Sequence, residues 1–171
     1  MKDPDLEQLI DDWLALPRGT REERAAAEAF YEERIFPITV PLVVNRTPDA
    51  LRDANYDLLI LTLGTSPAPI ALSILAVQPQ NALLLCTEQS RALVPKIQGW
   101  VSDHGGKTGV SFERVEPSDP LTVYRAVREH KERNHYQRIA VDATGGTKAM
   151  VSGAAQAAGV LGADLLYVDN T

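Results

Sequence analysis

From Asp57 onward, short apolar runs alternate with segments of helical length, and this alternation limits the fold more than any other feature of the chain. Runs of this kind are typical of parallel strands buried on both faces. Such strands, alternating with helices, predict an α/β protein whose sheet is covered on both sides. Right-handed crossovers favour a Rossmann-like, doubly wound, mainly parallel five-stranded sheet of order 3-2-1-4-5. The predicted strands are 58–63, 82–86, 109–115, 138–142 and 164–169.

This strand order predicts where a ligand binds. The first and fourth strands are neighbours at the point where the winding of the sheet reverses, and open α/β sheets bind ligands beyond the carboxyl ends of the strands at that point. Gly64-Thr65-Ser66 follows the first strand, and the segment from Asp142 to Lys148 includes the turn after the fourth. Two loops rich in glycine and hydroxyl groups are therefore expected to meet in one crevice.

The turn after the fourth strand has the features of an anion-binding loop. Gly145 and Gly146 allow a close approach to the backbone, Thr144 and Thr147 carry hydroxyls, and Lys148 adds a positive charge at the start of a helix. The loop lacks both G-x-x-x-x-G-K-[ST] and G-x-G-x-x-G, so it is neither a Walker A loop nor a dinucleotide fingerprint. The alternative is a tight turn with a capping threonine.

The loop after the second strand is expected to form the next wall of the crevice. Thr87, Glu88 and Ser90 could bond a base or a ribose there, while Ser90 could equally cap the helix that follows. Asp142, at the end of a buried strand, is more typical of a residue that bonds backbone N–H groups in its own turn.

Residues 1–56 differ in character from residues 57–171. They carry seven Lys and Arg against twelve Asp and Glu, and they contain no chemical motif. The pattern predicts a helix over 5–16 and a second helix from a capping box at Thr20 to about Ile35. Because prolines interrupt it, the segment 38–44 is predicted to be an edge strand or an extended linker. We therefore expect an acidic N-terminal helical arm (1–56) before the ligand-binding domain (57–171).

Composition excludes several function classes. A net charge of −6 argues against binding of duplex nucleic acid through a broad basic face. The single cysteine, Cys86, ends an apolar run and is expected to be a buried thiol. The three histidines lack the spacing of a helical zinc pair, and no metal or cofactor is expected. No apolar stretch has membrane-spanning length and no signal peptide is evident, so a cytoplasmic protein is expected.

Three segments together resemble the CARF domain, the CRISPR-associated Rossmann fold of type III defence systems. They are LLILTLGTSPAPIALSIL, LLLCTEQSRALVPKI and RIAVDATGGTKAMVSGAAQAAGVLGADLLYVDN, and the resemblance covers roughly residues 57–171. D-x-T-G-G-T-K-x-M at the start of a helix of small residues is its most specific part. The resemblance implies a homodimeric sensor that binds a cyclic oligoadenylate, of which cyclic tetra-adenylate is our first expectation, across two copies of the crevice.

The resemblance also implies roles for individual residues. The ligand-binding positions would be Gly64, Thr65, Ser66, Thr87, Glu88, Ser90, Thr144, Gly145, Gly146, Thr147, Lys148 and Met150. The alternative is a metal-independent ring nuclease, in which Lys148 would stabilise charge on the phosphate while Ser66 or Thr65 orients the sugar or phosphate. Related proteins usually carry an effector, and none is evident in this chain. A membrane helix before the acidic arm is one way to supply it, which would make this chain the cytoplasmic part of an anchored protein.

Overall fold

The computed structural model describes residues 4–167, which divide after Arg46 into two compact units, 4–46 and 47–167. We call them the N-terminal unit and the α/β unit. The N-terminal unit contains α1 (Pro4–Ala15), α2 (Arg21–Phe30), a π-helical turn (Tyr31–Ile35) and α3 (Phe36–Arg46). The α/β unit contains α4 (Asp49–Arg52), β1 (Leu58–Leu63), α5 (Ala68–Val77), β2 (Asn81–Cys86), a 3₁₀ turn (Ser90–Leu93), α6 (Val94–Asp103), β3 (Gly109–Arg114), α7 (Pro120–Asn134), β4 (Ile139–Asp142), α8 (Lys148–Leu161) and β5 (Asp164–Leu166).

Within the N-terminal unit, α1 begins and ends much as the sequence predicts, and α2 begins where predicted but ends at Phe30, with the π turn covering the rest of the predicted helix to Ile35. The capping box is present: the Thr20 hydroxyl accepts a hydrogen bond from the Glu23 N–H, and the Glu23 carboxylate accepts one from the Thr20 N–H. The indole of Trp13 donates to the carbonyl of Ala27 at 2.8 Å. This bond ties α1 to α2 across the turn between them.

The predicted edge strand or linker at 38–44 is wrong, because this segment lies in α3. Phe36 and Val40 stand four residues apart and are both buried, so they share one apolar helical face. Burying two such side chains contributes about 3–6 kcal/mol, enough to offset the roughly 3 kcal/mol that Pro41 costs inside a helix. A π turn precedes α3, and the Phe36 N–H donates five residues back to the Tyr31 carbonyl. Turns of this kind accommodate an interrupted helical ladder.

In the α/β unit the sheet is entirely parallel and has the order β3-β2-β1-β4-β5. This confirms the predicted Rossmann-like fold and its strand order. β1 lies between β2 and β4, and all of its residues are buried. The register aligns Leu63 with Cys86 and Leu61 with Asp142. The ends of β1, β2 and β4 therefore lie close together at the carboxyl end of the sheet.

Helices cover both faces of the sheet. Leu58, Ile60 and Val141 belong to one buried cluster, which also contains Val123 of α7 and Ala154 of α8. Side chains alternate along a strand, so Leu59, Leu61 and Leu63 point to the other face of the sheet. The helices of the layer on that face are α5 and α6, which pack together. The two layers bury the central strands β1, β2 and β4, whereas the edge strands β3 and β5 stay partly exposed.

Two boundaries of the α/β unit and its strands differ from the expected ones by more than one residue. The division between the compact units falls after Arg46, so the segment 47–56 belongs to the α/β unit and not to the arm. β5 comprises Asp164–Leu166, whereas 164–169 was predicted. Tyr167 lies outside the strand, and Val168 and Asp169, the last two residues of the predicted strand, lie outside the described residues.

Candidate functional site: a cleft at the carboxyl end of the sheet

The loops after β1 and β4 are in direct contact, as the strand order predicts. A Cβ atom added to Gly64 would lie 3.0 Å from the backbone nitrogen of Gly146. This approach is closer than side chains normally make, so a larger residue at position 64 would push the loops apart. Gly64 therefore allows the two loops to meet.

The glycine pair in the β4–α8 loop is required by the protein's own packing. A Cβ atom on Gly145 would lie 2.4 Å from the carbonyl oxygen of Thr62 in β1. Gly146 has φ +88°, a conformation that strains residues with a side chain. The Thr62 hydroxyl donates to the Gly145 carbonyl and holds the turn against β1. The two glycines are therefore needed for the conformation of the loop and for its packing against β1.

Asp142 anchors the same loop from below. Its carboxylate is buried and accepts hydrogen bonds from the Thr144 N–H at 2.8 Å and from the Ser73 hydroxyl of α5 at 2.5 Å. The bond within its own turn is the role that the sequence favoured. Both carboxylate oxygens are bonded to the protein, so Asp142 positions the loop.

Ser90 fastens the loop after β2 to the end of β1. Its hydroxyl accepts from the Thr87 N–H at 2.9 Å and donates to the Leu63 carbonyl at 3.0 Å. In return, the Thr87 hydroxyl accepts from the Ser90 N–H at 3.1 Å. Ser90 thus holds the turn together and does not cap the helix that follows; its contact with a ligand stays a prediction. Thr87 is half-buried and lines the cleft described below.

Thr147 caps α8, and its hydroxyl accepts from the Met150 N–H at 3.2 Å. It also donates to the Pro117 carbonyl at 2.5 Å, which joins the β4–α8 loop to the β3–α7 loop. The N-terminal end of α8 is therefore held in place from two sides. Its exposed N–H groups and helix dipole favour a negatively charged group.

These loops surround a cleft of about 890 Å³. That volume is within the range of pockets that bind small molecules. Residues from four loops and strand ends contribute to it. The lining residues are Leu63, Gly64, Thr65, Thr87, Glu88, Gln89, Ser90, Leu93, Arg114, Val115, Glu116, Pro117, Thr122, Gly146, Thr147 and Met150.

Eight of the twelve sequence-predicted binding residues line this cleft: Gly64, Thr65, Thr87, Glu88, Ser90, Gly146, Thr147 and Met150. Four do not: Ser66, Thr144, Gly145 and Lys148. Ser66 and Lys148 are exposed to solvent beside it. The assignment of all twelve residues to ligand binding stays a prediction.

The sequence interpretation missed the β3 side of the cleft. Arg114 ends β3, and Val115, Glu116 and Pro117 follow it in the cleft wall. Arg114 is the only cationic side chain among the described residues that line the cleft, and its guanidinium lies 3.3 Å from the Glu88 carboxylate. The strand order contained the signal, because the carboxyl end of β3 lies beside that of β2. The stretch had been interpreted only as a strand.

The described residues near the cleft do not provide an activated thiol, a histidine or a metal-binding cluster. Cys86 is fully buried and its thiol donates to the Glu113 carbonyl, and burial raises the pKa of this thiol, so it is not activated as a nucleophile. The histidines do not line the cleft. Within residues 4–167, no group of three or more His, Cys, Asp and Glu side chains could hold a metal ion. Over the same range, none of the helices combines the length and hydropathy needed to cross a bilayer.

Comparison with known proteins relates this arrangement to CRISPR systems. Over 153 residues the chain is 30% identical to the CRISPR system endoribonuclease Csm6 of Thermus thermophilus, and the match covers 86% of this chain. The chain is a CARF-domain protein of type III CRISPR systems. A match of 153 residues is longer than the α/β unit, so it includes part of the N-terminal unit as well. The chain spans 32% of the length of Csm6. No protein-family model matches the chain.

Solved structures support the fold of the CARF domain. Can2 from Sulfobacillus thermosulfidooxidans, solved in complex with cyclic tetra-adenylate, superimposes with a TM-score of 0.60 at 22% identity, over 67% of this chain and 32% of that chain. At this identity the likeness shows the fold. A universal stress protein family member from Burkholderia pseudomallei reaches a TM-score of only 0.42 at 16% identity, over 66% of this chain and 96% of that chain. This score is too low to establish a relationship.

Proposed function

We propose that the α/β unit binds a cyclic oligoadenylate, cyclic tetra-adenylate in the first instance, as a sensor in type III CRISPR defence. The observation that carries the proposal is the cleft, which joins the β1 and β4 loops to the N-terminal end of α8. It is supported by the relationship to Csm6 and by the fold shared with Can2, whose structure contains cyclic tetra-adenylate.

The lining of the cleft suits a nucleotide. Leu93 and Pro117, which line the cleft and are half-buried, give apolar surface against which a base can lie. Thr65 and the N–H groups at the start of α8 offer hydrogen-bond donors to phosphate oxygens. Lys148, exposed on the first turn of α8, would add charge from the rim.

A homodimer is part of the proposal. A cyclic tetra-adenylate has repeating, symmetric chemistry, so two copies of one cleft around a two-fold axis could bind it with equivalent contacts. The ligand would then be shared between two chains and could control an effector segment by fixing their relative arrangement. Sedimentation with and without ligand tests this point, and one ring per two chains is the expected stoichiometry. One ring per single chain would contradict the dimeric arrangement.

Isothermal titration with cyclic tetra-adenylate, cyclic hexa-adenylate and linear tetra-adenylate tests the binding itself. We expect the cyclic tetra-adenylate to bind most tightly and the linear control to bind weakly. Absence of heat with both rings would refute the proposed function. Tighter binding of the hexa-adenylate would retain the function and change the ring size.

Lys148→Ala tests the contribution of the α8 charge. We expect binding of cyclic tetra-adenylate to weaken by about 1–3 kcal/mol per site, as for a charge-assisted contact with phosphate. Lys107→Ala, in an exposed loop away from the cleft, is the matched control. Unchanged affinity in the Lys148 variant would exclude a phosphate contact for this side chain.

Cleavage of the ring is the alternative function. It would need groups that position the ribose hydroxyl and stabilise the charge on phosphate. Of the three residues assigned to these roles, Thr65 lines the cleft, whereas Ser66 and Lys148 do not. Among the residues assigned to cleavage no general base is evident, so binding without cleavage is our first proposal. Incubation with radiolabelled cyclic tetra-adenylate distinguishes the two, because products with a 2′,3′-cyclic phosphate would establish cleavage.

A further inference from the structure

The cleft has an uneven charge that the proposed function does not explain. Two carboxylates, Glu88 and Glu116, line it together with one cation, Arg114. A ligand with several phosphates would meet more negative than positive charge in this part of the cleft. Among the described residues that line the cleft, Arg114 is the one cation that could offset this repulsion.

We propose that Arg114 is a phosphate-binding residue of the cleft and that Glu88 restrains it through a competing ion pair. The proposal rests on the proposed function and assigns Glu88 a role different from the ligand contact suggested by the sequence. The Arg114 guanidinium donates to the Glu88 carboxylate at 3.3 Å. On binding, a phosphate would take the place of that carboxylate.

The fold places these two residues together. Arg114 is the last residue of β3 and pairs in register with Cys86, the last residue of β2. Glu88 follows two residues later in the β2 loop, whose turn is held by Ser90. The pair is thus built on two neighbouring strand ends, and both side chains reach the cleft.

The exposure of the pair makes an exchange of partners energetically feasible. The side chains of Arg114 and Glu88 are 69% and 70% exposed. Exposed ion pairs contribute little to stability, so breaking this one costs little. A guanidinium binds phosphate with two parallel hydrogen bonds, a stronger interaction than a single bond to one carboxylate oxygen.

The charge of the proposed dimer is consistent with this role. A cyclic tetra-adenylate carries four phosphate groups. Two copies of Lys148 and two of Arg114 would provide one cation for each phosphate, approaching from opposite sides of each cleft. With Lys148 alone, half of the phosphates would lack a cationic partner.

Titrations with cyclic tetra-adenylate test the proposal in wild type, Arg114→Gln, Glu88→Gln and the double variant. Arg114→Gln should weaken binding at least tenfold, as expected for loss of a charge-assisted hydrogen bond. Glu88→Gln should tighten binding about two- to fivefold, the range expected on removing an exposed ion pair. In the double variant the gain should disappear, because Glu88 acts through Arg114.

Arg91→Gln is the matched control, since Arg91 is an exposed arginine of the same β2 loop region that does not line the cleft and lies over the Phe112 ring. It should change affinity less than twofold. Wild-type binding that is unaffected by Arg114→Gln would overturn this inference and leave the proposed function standing. Weaker binding in Glu88→Gln would overturn the competition. No binding by the wild type would overturn the proposed function, and this inference with it.

Discussion

The two ends of the same parallel sheet use polar residues differently. At the amino end, Asp57 accepts hydrogen bonds from the N–H groups of Gln137 and Arg138, both at 2.9 Å. Tyr56 donates to Asp164 at 2.7 Å, and the Arg138 guanidinium lies over the Tyr56 ring. The hydrogen-bonding groups of these residues are thus paired within the protein. Polar residues at this end therefore join the starts of strands.

At the carboxyl end the polar residues divide into two sets. Asp142, Ser90 and Thr147 are bonded to loops of the protein, which they hold in place. Thr65 and Glu88 are exposed at the cleft. The comparison shows that a conspicuous polar residue near a strand end need not contact a ligand. Which set it belongs to depends on where its hydrogen bonds go.

The largest expected effect comes from removing the anchor of the carboxyl end. Asp142→Ala leaves the Ser73 hydroxyl and the Thr144 N–H without their buried partner, so we expect a loss of about 3 kcal/mol in the free energy of unfolding. Asp142→Asn keeps an acceptor for Thr144 and should lose less. Urea unfolding at neutral pH measures both. A loss below about 1 kcal/mol in the alanine variant would show that Asp142 does not hold this loop.

Gly145→Ala tests whether packing on β1 explains the glycine pair. The added methyl group would overlap the Thr62 carbonyl, so we expect destabilisation by about 1–3 kcal/mol. Gly159→Ala in α8 is the control, because nothing lies within 4 Å of its Cβ position. That change should stabilise the helix by up to about 1 kcal/mol. If both variants unfold like the wild type, the close approach of the loop to β1 is not a constraint.

Tyr56→Phe should cost about 1 kcal/mol at neutral pH through loss of the hydrogen bond to Asp164. Burial, the Asp164 hydrogen bond and the nearby Asp164 charge raise the pKa of Tyr56 to about 12, above the ordinary tyrosine value of 10.0. The protonated hydroxyl therefore stabilises the fold below pH 10.0, and this contribution is lost as the pH rises toward about 12. The difference between the two proteins in urea unfolding should shrink over that range. A constant difference would contradict the assignment.

The smallest effect is expected at Asp57, in acid. The N–H groups of Arg138 and then of Gln137 lower the pKa of this carboxyl. Its contribution is present above the pKa of the unfolded chain and is lost as the pH falls through the folded value. Wild type should therefore lose stability more steeply than Asp57→Asn between about pH 5 and pH 3. Parallel curves from thermal unfolding would show that these bonds do not depend on the charge.

The sequence predicted most of the α/β unit because its signals are local. Apolar runs such as 58–63 and 138–142 could be buried only as parallel strands, and the handedness of crossovers then limited their order. The capping box at Thr20 was equally local. The segment 38–44 could not be predicted in this way, since burial of Phe36 and Val40 outweighed the helix-breaking tendency of Pro41.

The part of the site that the sequence predicted also depends on local signals. The loops after β1 and β4 stand out in the sequence through Gly64 and the Thr-Gly-Gly-Thr-Lys segment. Arg114 does not, because an arginine at the end of an amphipathic strand resembles many solvated residues. Its place in the cleft follows from the pairing of β3 with β2 and from the position of Glu88.

The sequence by itself determined the alternation of strands and helices, the strand order and the two loops that meet beyond β1 and β4, because each depends on the periodicity of the chain or on backbone handedness. Only the tertiary structure decided which polar groups hold loops and which face the cleft. That division depends on hydrogen-bond partners distant in sequence, such as Thr147 with Pro117 and Ser90 with Leu63. Whether a polar side chain bonds the protein or can contact a ligand depends on which groups the fold places within about 3 Å of it.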